Sequence, residues 1–314
     1  MWNKIKENGI VLAVIVLSVA AVILFQLFGV KSYSRYSTDS LHYEQGKVVE
    51  VSSENLEYDE ELGLYLGNQT LKVEITGGEQ KGEIIEVSNY LTKTHNVYAQ
   101  NGMKLIINAD TPENVQPYYT VYNYDRNIPI LSCCIILAAA IICIGRGKGV
   151  KAILGLGYSM FIIIYLVIPA VFSGYSPIWM SILCAVLSTA VTLLLLNGQS
   201  KKTYAAIIAT TIGVLFALLL FMLMSWMLHL NGFSSSEAES LILIHESTGL
   251  KIKDLLFAGV LISSLGAIMD VGMSIVSSLY EVQHHNPSIT TRQLFRSGIE
   301  IGKDMIGTMT NTLI

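Results

Sequence analysis

The sequence predicts an α-helical polytopic membrane protein with one small all-β domain, a barrel of OB or SH3-like type, on the extracytoplasmic side. Three observations predict it. The 314 residues are 52% hydrophobic and 14% charged, where a soluble domain has about 25% charged residues. Several apolar runs reach the roughly 20 residues that cross a bilayer. One polar stretch, residues 32–127, interrupts those runs and is rich in Tyr, Thr, Val, Asn and Gly. The reading divides the chain into an N-terminal anchor (1–31), the β domain (32–127) and a helical bundle (128–314) of five full spans plus a shortened one.

Lys4 and Lys6 precede the first apolar run, residues 10–28. That run exceeds the roughly 7–15 residues of a signal-peptide core, and no A-x-A site follows it. It is read as an uncleaved anchor.

In the polar stretch, GKVVEV, LKVEIT, GEIIEVSNYL and MKLIINA have the β-branched or alternating character of short strands. QGK, TGGEQKG and AQNG read as the turns between them, and YDEELGLYLGNQ as a hairpin. Four or five strands in this length suit a small antiparallel barrel. Acidic residues outnumber basic ones here, which excludes a phosphate-attracting groove and with it a nucleic-acid partner.

The later spans are expected at 128–145, 151–172, 177–196, 204–230 and 255–280, with a seventh segment from about residue 297. Pro169 kinks or ends its span and frees a carbonyl that needs another partner. SSSEAESLILIHES, residues 234–247, has the start signal and spacing of a surface helix. Lys4, Lys6, Arg146, Lys148, Lys151, Lys201, Lys202, Arg292 and Arg296 all fall on the cytoplasmic side if the N-terminus is inside, as the positive-inside rule requires. Lys251 and Lys253 fall outside, offset by Glu237, Glu239 and Glu246. The expected location is the bacterial cell membrane, with the barrel extracytoplasmic.

The last two apolar segments carry polar stripes. Ser263, Gly266, Asp270, Ser274, Ser277 and Glu281 recur at steps of three or four and share one helix face. Glu300, Asp304, Gly307, Thr308 and Asn311 make a similar face, with Lys303 beside it. An ionised group at membrane depth costs at least about 2.5–3.5 kcal/mol, so it normally turns toward protein, water or an ion. Asp270, Asp304, Ser274, Thr308 and Asn311 are therefore the candidate ion- or substrate-binding residues, expected where the two faces meet. Interhelical hydrogen bonding at about 0.6 kcal/mol per group is the competing reading, as is pairing of Asp304 with Lys303. Gly266, Gly298, Gly302 and Gly307 are the helix-packing candidates, with Gly298 and Gly302 forming a GxxxG pair.

Cys133, Cys134, Cys143 and Cys184 all sit in apolar runs and lack metal-ligand spacing, so they read as small apolar residues. His284 and His285 read as solvated loop residues, Pro287 and Thr290 as turn and cap, and a helix is expected after Ser288. No nucleophile–base pair, Walker loop, GxSxG or HExxH is present, so neither an enzyme nor a cofactor is expected.

Met269, Asp270, Val271, Ser274 and Ile275, followed by Gly302, Asp304, Gly307, Thr308, Met309, Asn311, Thr312 and Leu313, carry a resemblance. The stretch LGAIMDVGMSIVSSLYEVQHHNPSITTRQLFRSGIEIGKDMIGTMTNTLI resembles the YibE/F-like family of bacterial multi-pass membrane proteins. The likeness extends loosely to the anchor, to VEITGGEQKGEIIEV in the outer domain and to YNYDRNIP before the second span. The chain departs from the family in reading NGMKLII where a G-D strand opening is usual. Members usually continue past N-T-L-I, so a truncated or split form is expected here, with a homo-oligomer or companion membrane subunit as partner besides the bilayer. The resemblance implies a predicted permease and brings no mechanism with it. Two functions stay open: a permease for a small solute or ion with carboxylates in its path, and a scaffold or envelope sensor working through the β domain.

Overall fold

A computed structural model gives the architecture. It describes residues 2–30, 41–78, 80–112, 116–230, 232 and 249–313, with the backbone alone for residues 2–8, 10 and 311–313. The chain forms two compact units, one of residues 35–137 and one of residues 1–34 with 138–314.

Among the described residues, five strands build the first unit: β1 Leu41–Asp59, β2 Leu64–Ile75, β3 Ile84–Leu91, β4 Lys104–Asp110 and β5 Tyr118–Tyr124. They close into a barrel in the order β1-β2-β3-β5-β4. β5 inserts between β3 and β4, antiparallel to β4 and parallel to β3 where Ser88 meets Thr120. That crossover is the Greek key of an OB-type barrel, not a simple meander. Every second residue of β2 and β3 points inward, so Leu71, Val73, Ile75 and Val87 meet Leu105 and Ile107 in a closed apolar core. The expected hairpin is there, joining β1 to β2 through residues 60–63.

QGK is not a turn. Gly46 lies inside β1 and pairs with Ile75 on one side and Leu105 on the other. A Cβ at Gly46 would meet Val73 and come 2.6 Å from the Ile107 side chain. The glycine is a strand residue that lets β1 fold closely over the core, which from sequence looks like a breaker.

The second unit is helical. α1 spans Trp2–Phe28, α2 Asn127–Ile162, α3 Ile168–Phe172, α4 Pro177–Asn197, α5 Lys201–Met227, α6 Ile252–His285 and α7 Thr291–Leu313. α2 is two helices, since Arg146 breaks it at φ 47° and ψ −129°. The chain turns there sharply enough that a Cβ on Gly149 would strike the Ile141 carbonyl. Among the described residues, five helical stretches are long and apolar enough to cross a membrane: Val11–Phe28, Asn127–Phe172, Pro177–Asn197, Lys201–Met227 and Ile252–His285. The Arg146 break divides the second. These apolar helices make the chain a membrane protein. α7 is not one of the five, because Arg292, Arg296, Glu300, Lys303 and Asp304 load its sequence with charge.

A π-turn, Ile163–Val167, precedes Pro169. Proline has no N–H to give the carbonyl four residues back, which is that of Tyr165. Gln26 of α1 donates its side-chain amide to that carbonyl. Tyr158 donates to Ser18 at 2.8 Å, and Phe25 meets Tyr175 edge-on. α1 is thereby docked on the bundle through polar as well as apolar contacts. The surface helix expected over residues 234–247 lies outside the described residues.

Candidate functional site

α6 is the element on which the bundle converges, with α4, α5 and α7 all packed against it. α5 approaches closely because both helices offer small residues. A Cβ on Gly272 of α6 would lie 3.1 Å from the Thr210 hydroxyl, and one on Gly213 of α5 would lie 2.8 Å from Ile268. α7 is launched by a capping box. Gln293 donates its backbone N–H to the Thr290 hydroxyl at 3.4 Å, and its side-chain oxygen accepts from the Thr290 backbone N–H at 3.1 Å. This starts the helix at Thr291, well before residue 297, and makes Thr290 the cap. His284 and His285 belong to the last turn of α6, not to the loop, and both are exposed.

α7 runs antiparallel to α6. Gly298 faces Leu279 and Gly302 faces Ile275, with would-be Cβ separations of 3.2 and 3.7 Å. At Gly266 and Gly307 nothing lies within 4 Å of where a Cβ would be. The GxxxG pair is therefore at the helix contact, while the other two candidate glycines face open space.

The two polar stripes do not meet. α6 touches α5 and α7 through Ile268, Gly272, Ile275 and Leu279. Two residues along an α-helix turn the side chain by about 200°, so Asp270 points away from Ile268 and Gly272 alike. Asp270 is exposed and Ser274 partly exposed. On α7 the same holds, for Asp304 and Thr308 are exposed on the side away from Gly298 and Gly302. The register of the two glycine contacts, carried on, brings Asp304 to the height of Met273, next to Ser274, and Thr308 to the height of Met269, next to Asp270. They share levels, not a face. Thr308 gives its hydroxyl to the carbonyls of Asp304 and Met305 within its own helix, at 3.3 and 3.0 Å. Lys303 pairs with Glu300 at 2.9 Å, so its ion pair is not with Asp304. The side chain of Asn311 lies outside the described residues. Among the described residues, no three His, Cys, Asp or Glu side chains gather to hold a metal.

Beside the α6 stripe runs a groove. One part, about 790 Å³, is lined by Ala217 of α5 and by Gly259, Ser263, Ser264 and Ala267 of α6. A second part, about 420 Å³, shares Ala267 and continues past Ala209, Gly213, Val271 and Gly272. Ser263 belongs both to the stripe and to the groove wall. The α5 contribution goes unread in the sequence, although Ala209, Gly213 and Ala217 recur every fourth residue and so mark a small-residue ridge. Thr210, buried next to that ridge, has no hydrogen-bond partner for its hydroxyl among the described residues.

A comparison with protein families matches residues 133–314, more than half of the chain, to the family described as YibE/F-like protein. No curated protein and no solved structure matches the chain.

Proposed function

We propose, from the premise that the chain belongs to the YibE/F-like family, that it is a permease for a small solute or ion, and not an enzyme. The observation that carries this is the placement of Asp270. It sits near the middle of a 34-residue apolar helix, on the face turned away from the contacts with α5 and α7. A carboxylate at that depth is too costly to leave against lipid. A water-lined or ion-lined path along the stripe offsets the cost. Ser263, Ser274 and the groove beside them extend the polar surface along the helix. Asp304, Thr308 and Asn311 supply a second polar face, which a homo-oligomer or companion subunit brings into the path. The proposed orientation has the N-terminus in the cytoplasm and the barrel outside the cell membrane. The path requires no cofactor.

Flux of ions and small metabolites into vesicles tests this reading. Asp270→Asn keeps the side-chain shape and removes the charge. The expected outcome is loss of flux at unchanged protein level. Wild-type flux in Asp270→Asn vesicles overturns it.

A second reading, a scaffold or envelope sensor acting through the barrel, draws on a different observation. The barrel surface is crowded with exposed tyrosines: Tyr43, Tyr58, Tyr65, Tyr90, Tyr118 and Tyr122. On that reading, both aspartates tolerate Asn and substitutions on the barrel abolish function.

A further inference from the structure

The β1–β2 hairpin overshoots the barrel. β4 pairs with β1 over residues 41–47 alone, and β3 pairs with β2 no further toward the hairpin tip than Gly67. Beyond those limits β1 and β2 pair with each other as far as Asp59 and Leu64. Tyr65 occupies the same side of β2 as Gln69 and Leu71, which are 2% and 0% exposed. Tyr58 is its direct cross-strand partner. Both rings thus point to the side that faces the core lower down, yet they are 52% and 40% exposed, Tyr58 the more so. Their centroids are 5.0 Å apart, and Tyr65 in turn stacks on Tyr98 at 4.9 Å and 23°.

A cross-strand tyrosine pair stabilises a hairpin by itself, by about 0.2–1 kcal/mol. That accounts for the pairing and leaves the third ring and the open faces unexplained. Contiguous exposed aromatic surface marks an interaction site more often than isolated rings do. The charge around it selects the partner. Residues 41–124 carry thirteen Asp and Glu against five Lys, a formal charge of −8. Glu57, Glu60 and Glu61, all exposed, flank the two tyrosines on the hairpin, and the nearby cation Lys93 lies 3.9 Å from Asp59. Aromatic faces beside carboxylates attract ammonium and guanidinium groups and repel phosphates.

We propose that the tyrosine-bearing tip of this hairpin docks an extended, basic peptide segment of another protein. Lysine or arginine heads of the peptide lie over Tyr58 and Tyr65, and Glu57, Glu60 and Glu61 complement their charge. The site belongs to the barrel alone and does not depend on what the helices transport.

The test uses the full chain in nanodiscs of zwitterionic lipid, with a fluorescent octapeptide of alternating Arg and Val as probe. The expected result is saturable binding that weakens at high salt. Tyr58→Ser and the double change Glu60→Gln with Glu61→Gln each weaken it by about tenfold. Glu60 and Glu61 sit in the exposed turn, so their change leaves the barrel folded. Tyr58→Leu keeps apolar cover on the hairpin while removing the ring, and it weakens binding as Tyr58→Ser does. Unchanged affinity in the tyrosine variants overturns the proposal, as does equal binding of a probe with Gln in place of Arg. So does absence of peptide binding, including the case where a neutral N-acetylglucosamine tetrasaccharide binds through Tyr58 instead.

Discussion

Asn89 and Gln69 are polar side chains sealed inside the barrel, 0% and 2% exposed. They face each other across β3 and β2, and Asn89 donates to the Gln69 side-chain oxygen at 2.9 Å. Asn89 also donates to the Val97 carbonyl at 2.7 Å, while Gln69 both donates to the Ala99 carbonyl and accepts from its N–H, each at 3.1 Å. The segment from residue 92 to β4 has no ladder of its own, so these two amides hold it against the barrel and let Val97 and Ala99 complete the core. Asn89→Ala strips the Val97 carbonyl of its partner and weakens the hold on Gln69. Orphaning a buried polar group costs roughly 1–3 kcal/mol, so thermal unfolding of the barrel, followed by near-UV circular dichroism, is expected to start at lower temperature. Asn89→Asp costs at least as much, since it buries a charge; an unchanged transition in both variants contradicts the role. From sequence, Asn89 is visible as a polar residue in an inward slot of IIEVSNYL. Its partners are not visible, because one is a side chain on another strand and the other a backbone carbonyl of a segment without periodicity.

At the scale of elements, the π-turn, Pro169 and α1 form one device. Proline leaves the Tyr165 carbonyl without its helical partner, the chain widens to a π-turn, and Gln26 reaches over to pair the carbonyl. The first half was legible: Pro169 in an apolar run implies a freed carbonyl. The second half was not, since Gln26 lies 139 residues away and nothing in periodicity links the two. The same limit explains Gly46, whose local signal is a breaker and whose role is set by two neighbouring strands. It also explains the polar stripes, where spacing gives the shared face of Asp270 and Ser274 but not its direction. That direction depends on which side Gly272 and Ile275 offer to α5 and α7. Gln26→Leu is expected to cost about 1 kcal/mol, the net worth of one hydrogen bond, read as a lower unfolding midpoint in detergent. Pro169→Ala restores an N–H donor for Tyr165, so in that background Gln26→Leu has little effect. Equal losses in both backgrounds mean that Gln26 acts by packing alone.

For the whole molecule, the orientation in the bilayer decides whether barrel and bundle meet different compartments. The positive charges of the short loops gather on one side, with Lys251 and Lys253 as exceptions. Arg146 and Lys148 lie at the break in α2, Lys201 and Lys202 open α5, and Arg292 and Arg296 lie in the first turns of α7. In the proposed orientation, alternate crossings put all of them on one side with Lys4 and Lys6, and the barrel segment on the other. Short basic loops stay in the cytoplasm because moving them across is opposed at each crossing, and the agreement of three loops and the N-terminus supports the proposed orientation. Single cysteines in a background free of Cys133, Cys134, Cys143 and Cys184 measure it. Glu61→Cys, at the exposed hairpin turn, is expected to react with a membrane-impermeant maleimide in intact cells. Ser288→Cys, exposed between α6 and α7, is expected to react only after permeabilisation. The reverse pattern puts the barrel in the cytoplasm. It also removes the basis for the envelope-sensor reading of the barrel, while leaving Asp270 at the same depth in the membrane. The labelling thus separates what depends on sidedness from what depends on burial. It also precedes the flux measurement, since the direction in which a solute meets the α6 stripe follows from it.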